Sequence, residues 1–361
     1  MKIKSIYAYS KKLFLTKPYS IAYKTIKDIE VVFLEIELEN GLIGIGAANP
    51  CPEVVNETSE EALSNLQSDF ISKLVGKDIG CFIHYINQTA IHFPNKPGTL
   101  AALDIALHDL FCKMLGISVL DFYGKKQKAL PTSITIGIKG KQEMLDEAIE
   151  YYKLGFRILK IKLGKDVDLD IERLKILSDK FGKKIKIRVD ANQGYSLENC
   201  KHFLNSTRQL GLELIEQPLK VGRDYSLVEI SQADRKLLVA DESLLSPSTA
   251  WSLSNPPQPY GVYNIKLMKT GGIIGAKSIA TIAQSAGIDL FWGCNDESIV
   301  SITAALYAAY SCSNTKYLDL DGSFDLAKDL VEGGFELKDG YLFPKNLPGL
   351  GFEKIEINNK F

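Results

Sequence analysis

Short apolar segments recur along the chain from about residue 133, and helix-like stretches lie between them. Segments such as RILKIKLG and IKIRVD suit buried strands, whereas DIERLKILSDKFG spaces its apolar residues as an amphipathic helix does. Strands that alternate with helices predict a parallel sheet. A polar residue stands at the end of each predicted strand, and successive ones are 25 to 30 residues apart. These residues are Thr135, Lys160, Asp190, Glu216, Asp241, Lys266, Cys294 and Asp319.

That spacing is the length of one strand–helix unit with its loops. Eight such strands over residues 126–322 predict an α/β barrel, a modified TIM barrel of the form (β/α)7β. The active site of a barrel lies at the C-terminal ends of its strands, so these polar residues would converge there. The alternative is an open doubly wound sheet, in which functional groups gather near one crossover.

The two ends of the chain follow a different pattern. The segment VVFLEIELENGLIGIGAA alternates apolar and polar residues around a glycine turn, which predicts an antiparallel meander, and two helical patterns follow it. The C-terminal segment FELKDGYLFP predicts a hairpin. We therefore predict an α+β capping domain that is formed by residues 1–125 and completed by residues 323–361.

Composition and charge narrow the possible chemistry. The net charge of −1 disfavours nucleic acid and membrane surfaces as partners. No apolar run approaches the roughly 18 residues that a membrane span needs, and the N-terminus lacks the features of a signal peptide. Six scattered cysteines without a CxxC pair predict reduced thiols and a cytoplasmic location. No histidine follows His202, so chemistry in the C-terminal part must rest on lysines and carboxylates.

Three carboxylates end consecutive predicted strands: Asp190, Glu216 and Asp241. Side chains on neighbouring strands would lie close together at the barrel mouth, where they would repel one another unless a cation held them. Ligation by oxygen alone favours a hard cation, so we predict Mg²⁺, with Mn²⁺ as a possible substitute. The alternative is three separate acids that are solvated or paired with basic residues.

Lysines occupy two further strand ends. Lys160 and Lys162 are two residues apart on one predicted strand, so both side chains point to the same face. Lys266 ends the sixth strand, roughly across the barrel from the second. Burial and nearby positive charge would lower their pKa values toward the range in which an amine acts as a base. The alternative is that all three lysines reach surface water.

Together these groups predict removal and return of a proton beside a carboxylate. A bound divalent cation stabilises the enolate that forms when the α-proton leaves. Lys160 would add electrostatic stabilisation, while Lys162 and Lys266 would exchange protons on opposite faces and so invert the carbon. Two aspartates in YLDLDG, Asp319 and Asp321, would face the same way and hold a cationic group such as an ammonium. A structural acid pair is the alternative.

The motifs LKIKLG, VDANQG, IEQP, ADES and NIKLMKTGG resemble those of the enolase superfamily, in its muconate-lactonizing branch and, within that branch, the dipeptide epimerases. The resemblance implies that Asp319 and Asp321 bind the N-terminal ammonium of a dipeptide whose C-terminal residue is inverted. It also implies that Thr135 and Asp296 contact the substrate. Lys24 aligns with a basic residue that grips glutamate in Ala-Glu epimerases, although an ordinary solvated lysine is an equal alternative.

We therefore predict a dipeptide epimerase for Ala-X dipeptides in which X is hydrophobic, polar or Glu. We expect a homo-oligomer that binds this small substrate. Other enolate chemistry of the same branch is the alternative: N-acylamino acid racemisation, succinylbenzoate synthesis or cycloisomerisation. A remote alternative is a barrel retained as a binding scaffold, which would require a missing metal or lysine position.

Overall fold

The computed structural model describes residues 1–21 and 24–356, without the side chains of residues 17–26. The N-terminal part begins with an antiparallel sheet of β1 (Ile3–Ile21), β2 (Lys24–Leu38) and β3 (Ile43–Ala48), in that order. Its helices are α1 (Pro52–Val55), α2 (Ser59–Leu66), α3 (Asp69–Ser72), α4 (Phe82–His92), α5 (Pro97–Leu115) and α6 (Val119–Tyr123).

Helix α5 packs directly on this sheet. It begins with Pro97, whose missing N–H costs nothing in the first turn, and it ends at Leu115, followed by Gly116 in the left-handed conformation. A Cβ atom on Gly46 would lie 1.9 Å from the backbone oxygen of Ala102. Glycine in strand β3 therefore allows the helix to approach the sheet backbone.

The central part is an eight-stranded parallel sheet whose strands follow one another in sequence order from β5 to β12. A short strand, β4 (Leu130–Pro131), precedes it. The eight strands are β5 (Ile134–Ile136), β6 (Ile158–Lys162), β7 (Lys186–Asp190), β8 (Leu214–Glu216), β9 (Leu238–Ala240), β10 (Val262–Ile265), β11 (Asp289–Trp292) and β12 (Thr315–Leu318).

Contacts between its first and last strands close this sheet into a barrel. Thr132, just before β5, forms a parallel bridge with Leu318 in β12, and the backbone N–H of Ser133 donates to the Leu318 carbonyl at 3.0 Å. Inside the barrel, the guanidinium of Arg188 lies 5.2 Å from the ring centres of both Phe291 and Tyr317. The interior below the mouth is therefore filled by side chains, as in a packed barrel.

Helical segments connect the eight strands in seven crossovers, which confirms the predicted (β/α)7β barrel. The α-helices are α7 (Lys141–Lys153), α8 (Val167–Phe181), α9 (Leu197–Thr207), α10 (Gln232–Arg235), α11 (Pro247–Leu253), α12 (Leu267–Thr270), α13 (Ile273–Ser285) and α14 (Ile299–Tyr310). Short 3₁₀ helices cover Ile79–Cys81, Gly182–Lys184, Arg208–Leu210 and Asp224–Glu229.

The C-terminal segment contacts both parts of the molecule. Its strands are β13 (Val331–Gly333), β14 (Phe335–Lys338), β15 (Tyr341–Pro344) and β16 (Phe352–Ile355). The β14–β15 hairpin pairs with β4 beside the barrel, while the N–H of Leu350 donates to Asp109 in α5 at 2.8 Å. The exact domain boundaries given above remain predictions.

Among the helices that the structure describes, none has both the length and the apolar character needed to cross a lipid bilayer.

Candidate active site at the barrel mouth

The predicted polar residues gather at one end of the barrel because parallel strands all end at the same edge. Asp190 and Glu216 are the last residues of β7 and β8, and Asp241 follows β9 directly. Lys266 follows β10 and Asp319 follows β12 in the same way.

Asp190 and Glu216 converge on the ammonium of Lys160, which is almost fully buried. The ammonium lies 2.8 Å from one oxygen of Glu216 and 3.4 Å from one oxygen of Asp190. The other oxygen of Asp190 accepts the backbone N–H of Asn192 at 3.0 Å. The other oxygen of Glu216 accepts the side-chain amide of Asn264 at 2.7 Å. Each carboxylate thus has one oxygen anchored by its surroundings and one turned to the centre.

Asp241 also has one anchored oxygen and one oxygen turned to the centre. Its Oδ1 atom accepts a hydrogen bond from the buried ammonium of Lys269, and its Oδ2 atom accepts one from Lys266 at 2.8 Å. The Oδ2 atom of Asp190 accepts a hydrogen bond from Lys162 at 2.7 Å. All three carboxylates therefore present one oxygen to a lysine at the mouth.

The charges at this mouth are unevenly compensated. Burial, followed by the charge of Asp190, raises the pKa of Glu216 to about 8. Burial alone would lower the pKa of Lys266, but the carboxylates of Asp241 and Glu216 outweigh it and raise that pKa above its ordinary value. This is the reverse of the sequence expectation for Lys266, because the amine pairs directly with a carboxylate.

The three carboxylates fit a divalent cation in their chemistry. No three His, Cys, Asp or Glu side chains in the described part of the chain already surround a common point at ligand spacing, since Lys160 stands between Asp190 and Glu216. The Oε2 atom of Glu216 is nevertheless buried with only the Lys160 ammonium beside it and no hydrogen bond. Such an oxygen beside two further inward carboxylates is the donor set that a hard cation such as Mg²⁺ prefers.

Lys162 and Lys266 lie on opposite sides of the mouth. They extend from strand β6 and from the end of strand β10, which are four strands apart in a barrel of eight. Their side chains are 31% and 12% exposed, whereas that of Lys160 is 3% exposed. The first two amines can therefore reach a molecule in the mouth from opposite faces.

The two aspartates after β12 differ in their partners. Asp319 binds the ammonium of Lys160 at 2.8 Å and the hydroxyl of Ser133 at 2.6 Å. Asp321 accepts the backbone N–H of Thr135 at 2.8 Å, and no lysine or arginine among the described side chains forms an ion pair with it. Burial and then the charge of Asp319 raise the pKa of Asp321 to about 7. A cation bound here would stabilise the ionised pair.

The capping domain reaches the mouth through residues 49–53, here called the capping segment, which include the start of α1. The side-chain amide of Asn49 donates to the backbone oxygen of Asp296, and that of Asn295 donates to the backbone oxygen of Asn49 at 3.3 Å. The Cys51 thiol donates to the Glu53 carboxylate at 3.3 Å. Asp296 thus stands where the cap meets the barrel. The predicted contact of Lys24 with substrate concerns a side chain outside the described residues.

Three residues that support the carboxylates were missing from the predicted site: Asn264, Lys269 and Gln217. Gln217 accepts the backbone N–H of Asp241 at 2.9 Å and donates to the hydroxyl of Tyr260 at 3.0 Å. All three stand inside motifs quoted above, NIKLMKTGG and IEQP. Their polar character within those motifs was the available signal, but strand spacing does not reveal which carboxylate each one binds.

An eight-stranded barrel that carries acids and lysines at one mouth beneath an α+β domain defines the enolase superfamily. The model for the N-terminal domain of mandelate racemase and muconate lactonizing enzyme matches residues 4–124, and the model described as Enolase C-terminal domain-like matches residues 143–356. The chain therefore belongs to the mandelate racemase and muconate lactonizing enzyme family.

Several relatives within this family are named as dipeptide epimerases. The chain is 48% identical to the L-Lys-D/L-Arg epimerase of Desulforapulum autotrophicum, over 98% of this chain and all of the relative. It is also similar to the crystal structure of the dipeptide epimerase from Methylococcus capsulatus with Mg and L-Arg-D-Lys, with a TM-score of 0.95, 46% identity and coverage of 98% and 99% of the two chains.

A substrate-liganded L-Ala-D/L-Glu epimerase from Bacillus subtilis is more distant, with a TM-score of 0.90, 29% identity and coverage of 99% and 100%. The resemblance to dipeptide epimerases is thus confirmed. The relatives with nearly half of their residues identical are named for lysine and arginine substrates, whereas the sequence expectation was for Ala-X dipeptides.

Proposed function

We propose that this protein is a Mg²⁺-dependent epimerase of dipeptides with cationic side chains and that it inverts the C-terminal residue. The observation that carries the proposal is the placement of Lys162 and Lys266 on opposite sides of three inward carboxylates. Two amines on opposite faces of one carbon can invert it, whereas one amine can only exchange its proton.

Asp190, Glu216 and Asp241 would hold the cation through the oxygens that they turn to the centre. Bound Mg²⁺ would stabilise the negative charge that develops on the substrate carboxylate when the α-proton leaves. Lys162 and Lys266 would take a proton on one face and return one on the other, in either direction. The buried ammonium of Lys160 would lie against the substrate carboxylate and add to the stabilisation of the enolate.

Asp319 and Asp321 would hold the N-terminal ammonium of the dipeptide. The support is that Asp319 already has a basic partner in Lys160, while the pKa of Asp321 is raised to about 7 by burial and by the charge of Asp319. An ammonium bound between them would compensate the second charge. We assign Thr135 to the same end of the substrate, because its backbone N–H already orients Asp321 at 2.8 Å.

Carboxylates at the rim favour cationic side chains on the substrate. Glu53 extends from the capping segment beside Cys51, and Asp296 lies in the barrel loop that binds Asn49. A lysine or arginine side chain that leaves the mouth would pass these acids, whereas a glutamate side chain would meet like charge. This arrangement agrees with the cationic substrates of the similar relatives, and Lys24 keeps no assigned role in the proposal.

The test is a panel of dipeptides incubated with the enzyme and Mg²⁺ in D₂O. The panel contains L-Lys-L-Arg, L-Arg-L-Lys, L-Ala-L-Glu and L-Leu-L-Tyr, with N-succinyl-L-Arg as a substrate without an ammonium. Mass spectrometry measures deuterium uptake and chiral chromatography measures inversion. We expect kcat/KM about tenfold higher for the dicationic dipeptides, since two charge contacts at the rim are each worth less than about 1 kcal/mol. Uptake by N-succinyl-L-Arg alone would contradict the proposal.

A further inference from the structure

Lys269 is a lysine of the barrel mouth to which the proposed reaction assigns nothing. It lies in α12, three residues after Lys266, and its side chain is 3% exposed. Its ammonium donates to the Oδ1 atom of Asp241, to the backbone oxygen of Asp241 at 2.7 Å and to the backbone oxygen of Asn264 at 3.1 Å. All three N–H groups of the ammonium are therefore used.

This arrangement differs from that of the other lysines at the mouth. Lys162 and Lys266 are partly exposed, and each pairs with the centre-facing oxygen of a carboxylate. Lys269 instead binds the opposite oxygen of Asp241 from behind, where no substrate could reach it. A buried charge is costly unless its partners compensate it fully, so a lysine at this place implies a fixed structural task.

The contact with Asn264 extends the effect of Lys269 to a second ligand. The backbone oxygen of Asn264 accepts a hydrogen bond from Lys269, while its side chain donates to Glu216 at 2.7 Å. The Oε2 atom of Glu216 is then left to face the centre. One buried lysine thus connects the supports of two neighbouring carboxylates.

We propose that Lys269 is a positioning residue for the metal site. It fixes the carboxylate of Asp241 by one oxygen, so that the other faces the cation even when Lys266 turns away to exchange a proton with the substrate. This inference rests on the proposed assignment of Asp241 as a metal ligand. Groups that orient a ligating carboxylate from behind typically change metal affinity or activity by 10–100-fold when they are removed.

The experiment compares Mg²⁺ binding by isothermal titration calorimetry in the wild type and in Lys269→Met, which keeps the aliphatic stem and removes the ammonium. We expect the Kd for Mg²⁺ to rise at least about tenfold. Lys269→Gln retains neutral hydrogen-bond donors, so its Kd should lie between the two. It also gives a second measurement if the methionine variant does not fold.

Lys113→Met is the matched control. The ammonium of Lys113 also bonds a carboxylate, that of Asp109 at 2.7 Å, and a backbone oxygen, that of Ile43 at 2.9 Å, but it lies within the capping domain. Its loss should lower the melting temperature and leave the Kd for Mg²⁺ within twofold of the wild type. A general loss of stability is thereby separated from a loss of positioning.

The outcomes separate the two proposals. A wild type that binds no Mg²⁺ would overturn the metal assignment itself. A wild type that binds Mg²⁺, with both folded Lys269 variants within twofold of it, would overturn the role of Lys269 and leave the proposed function intact.

Discussion

Two regions surround the proposed substrate, and they hold their polar groups in different ways. At the ends of the barrel strands, the carboxylates of Asp190, Glu216 and Asp241 are buried, and each has one oxygen anchored by a neighbour. In the capping segment, Glu53 is exposed, and the links between the cap and the loop of Asp296 pass through backbone oxygens.

This difference separates the reaction from the choice of substrate. A buried carboxylate that holds a cation and has anchored oxygens tolerates little change in function, because its loss leaves the bound charge with fewer partners. An exposed acid at the rim can be exchanged at a small cost in stability. A family can therefore keep one reaction while its members accept different side chains, provided that the strand ends perform the chemistry and the cap performs the selection.

The first test concerns the barrel and uses Lys266→Ala, for which we expect the largest loss of activity. Epimerisation should fall by at least about a thousandfold, because a general acid or base contributes about 10²–10⁴-fold. Exchange of the α-proton with D₂O should survive from one epimer only, since Lys162 still reaches its own face. Proton NMR of each epimer in D₂O measures this directly.

Lys162→Ala should give the mirror result, with exchange surviving from the other epimer. The exposed Lys165, three residues further along the chain, provides the control, and Lys165→Ala should keep both activities. Exchange from both epimers in Lys266→Ala would defeat the assignment of one amine to each face.

The second test concerns Glu216, whose replacement should raise the stability of the metal-free protein and lower its affinity for Mg²⁺. Because burial and Asp190 raise the pKa of Glu216 to about 8, keeping it ionised without a metal costs stability, and this cost grows as the pH rises toward that value. Glu216→Gln removes the cost and leaves Lys160 paired with Asp319 and Asp190, so the metal-free variant should melt about 2–4 °C higher than the wild type at pH 8. Its affinity for Mg²⁺ should fall by about 100-fold or more.

Calorimetry in EDTA measures the first effect, and Mg²⁺ titration measures the second. The conservative exchange Glu213→Gln is the control, because Glu213 pairs with Arg188 below the mouth. It should lower the melting temperature and preserve Mg²⁺ binding. A metal-free Glu216→Gln protein that melts below the wild type would show that Glu216 is compensated without a cation.

The same contrast explains what could be predicted from the sequence. Strand spacing placed Lys160, Asp190, Glu216 and Asp241 at one mouth, because alternate residues of a strand point the same way and parallel strands end at the same edge. The structure brings these four side chains together. The closed barrel and the family resemblance could therefore be predicted from a single sequence.

The partners of these groups were not predictable in the same way. Lys160 binds Asp319, 159 residues away, and Lys269 binds Asp241, although neither pairing follows from spacing along the chain. Such contacts depend on which of several nearby opposite charges has the better geometry. The substrate preference is hard to predict for a related reason, since in the proposed function it depends on rim residues such as Glu53, whose positions do not follow from the strand spacing.

The third test moves to Asp321, where the expected effect is intermediate. Its pKa is raised to about 7, so it loses its charge below that pH and with it the attraction for an ammonium. For an unmodified dipeptide, kcat/KM should therefore fall about tenfold between pH 8 and pH 6. Asp321→Asn should lower kcat/KM by about 10–30-fold at pH 8.

The variant is needed because Glu297, also near the mouth, has a pKa raised to about 7 by burial. If Asp321 causes the fall in kcat/KM at low pH, that fall should disappear in Asp321→Asn. With an N-acetylated dipeptide, which has no ammonium, kcat/KM of the wild type should not show this fall. A fall that persists in Asp321→Asn would assign the titration to another group.

The smallest expected effect belongs to the capping segment, and it tests the other side of the comparison. Glu53→Gln should raise KM for L-Lys-L-Arg by about threefold, because an exposed charge contact is worth less than about 1 kcal/mol. It should leave kcat unchanged, since Glu53 takes no part in the proton transfers. Higher salt should reduce the difference, because exposed charges are screened.

The control is Glu60→Gln, which changes another exposed acid of the same domain and should alter neither KM nor kcat. A loss of kcat in Glu53→Gln would mean that the capping segment acts on the reaction itself, and the division between chemistry in the barrel and selection in the cap would fail.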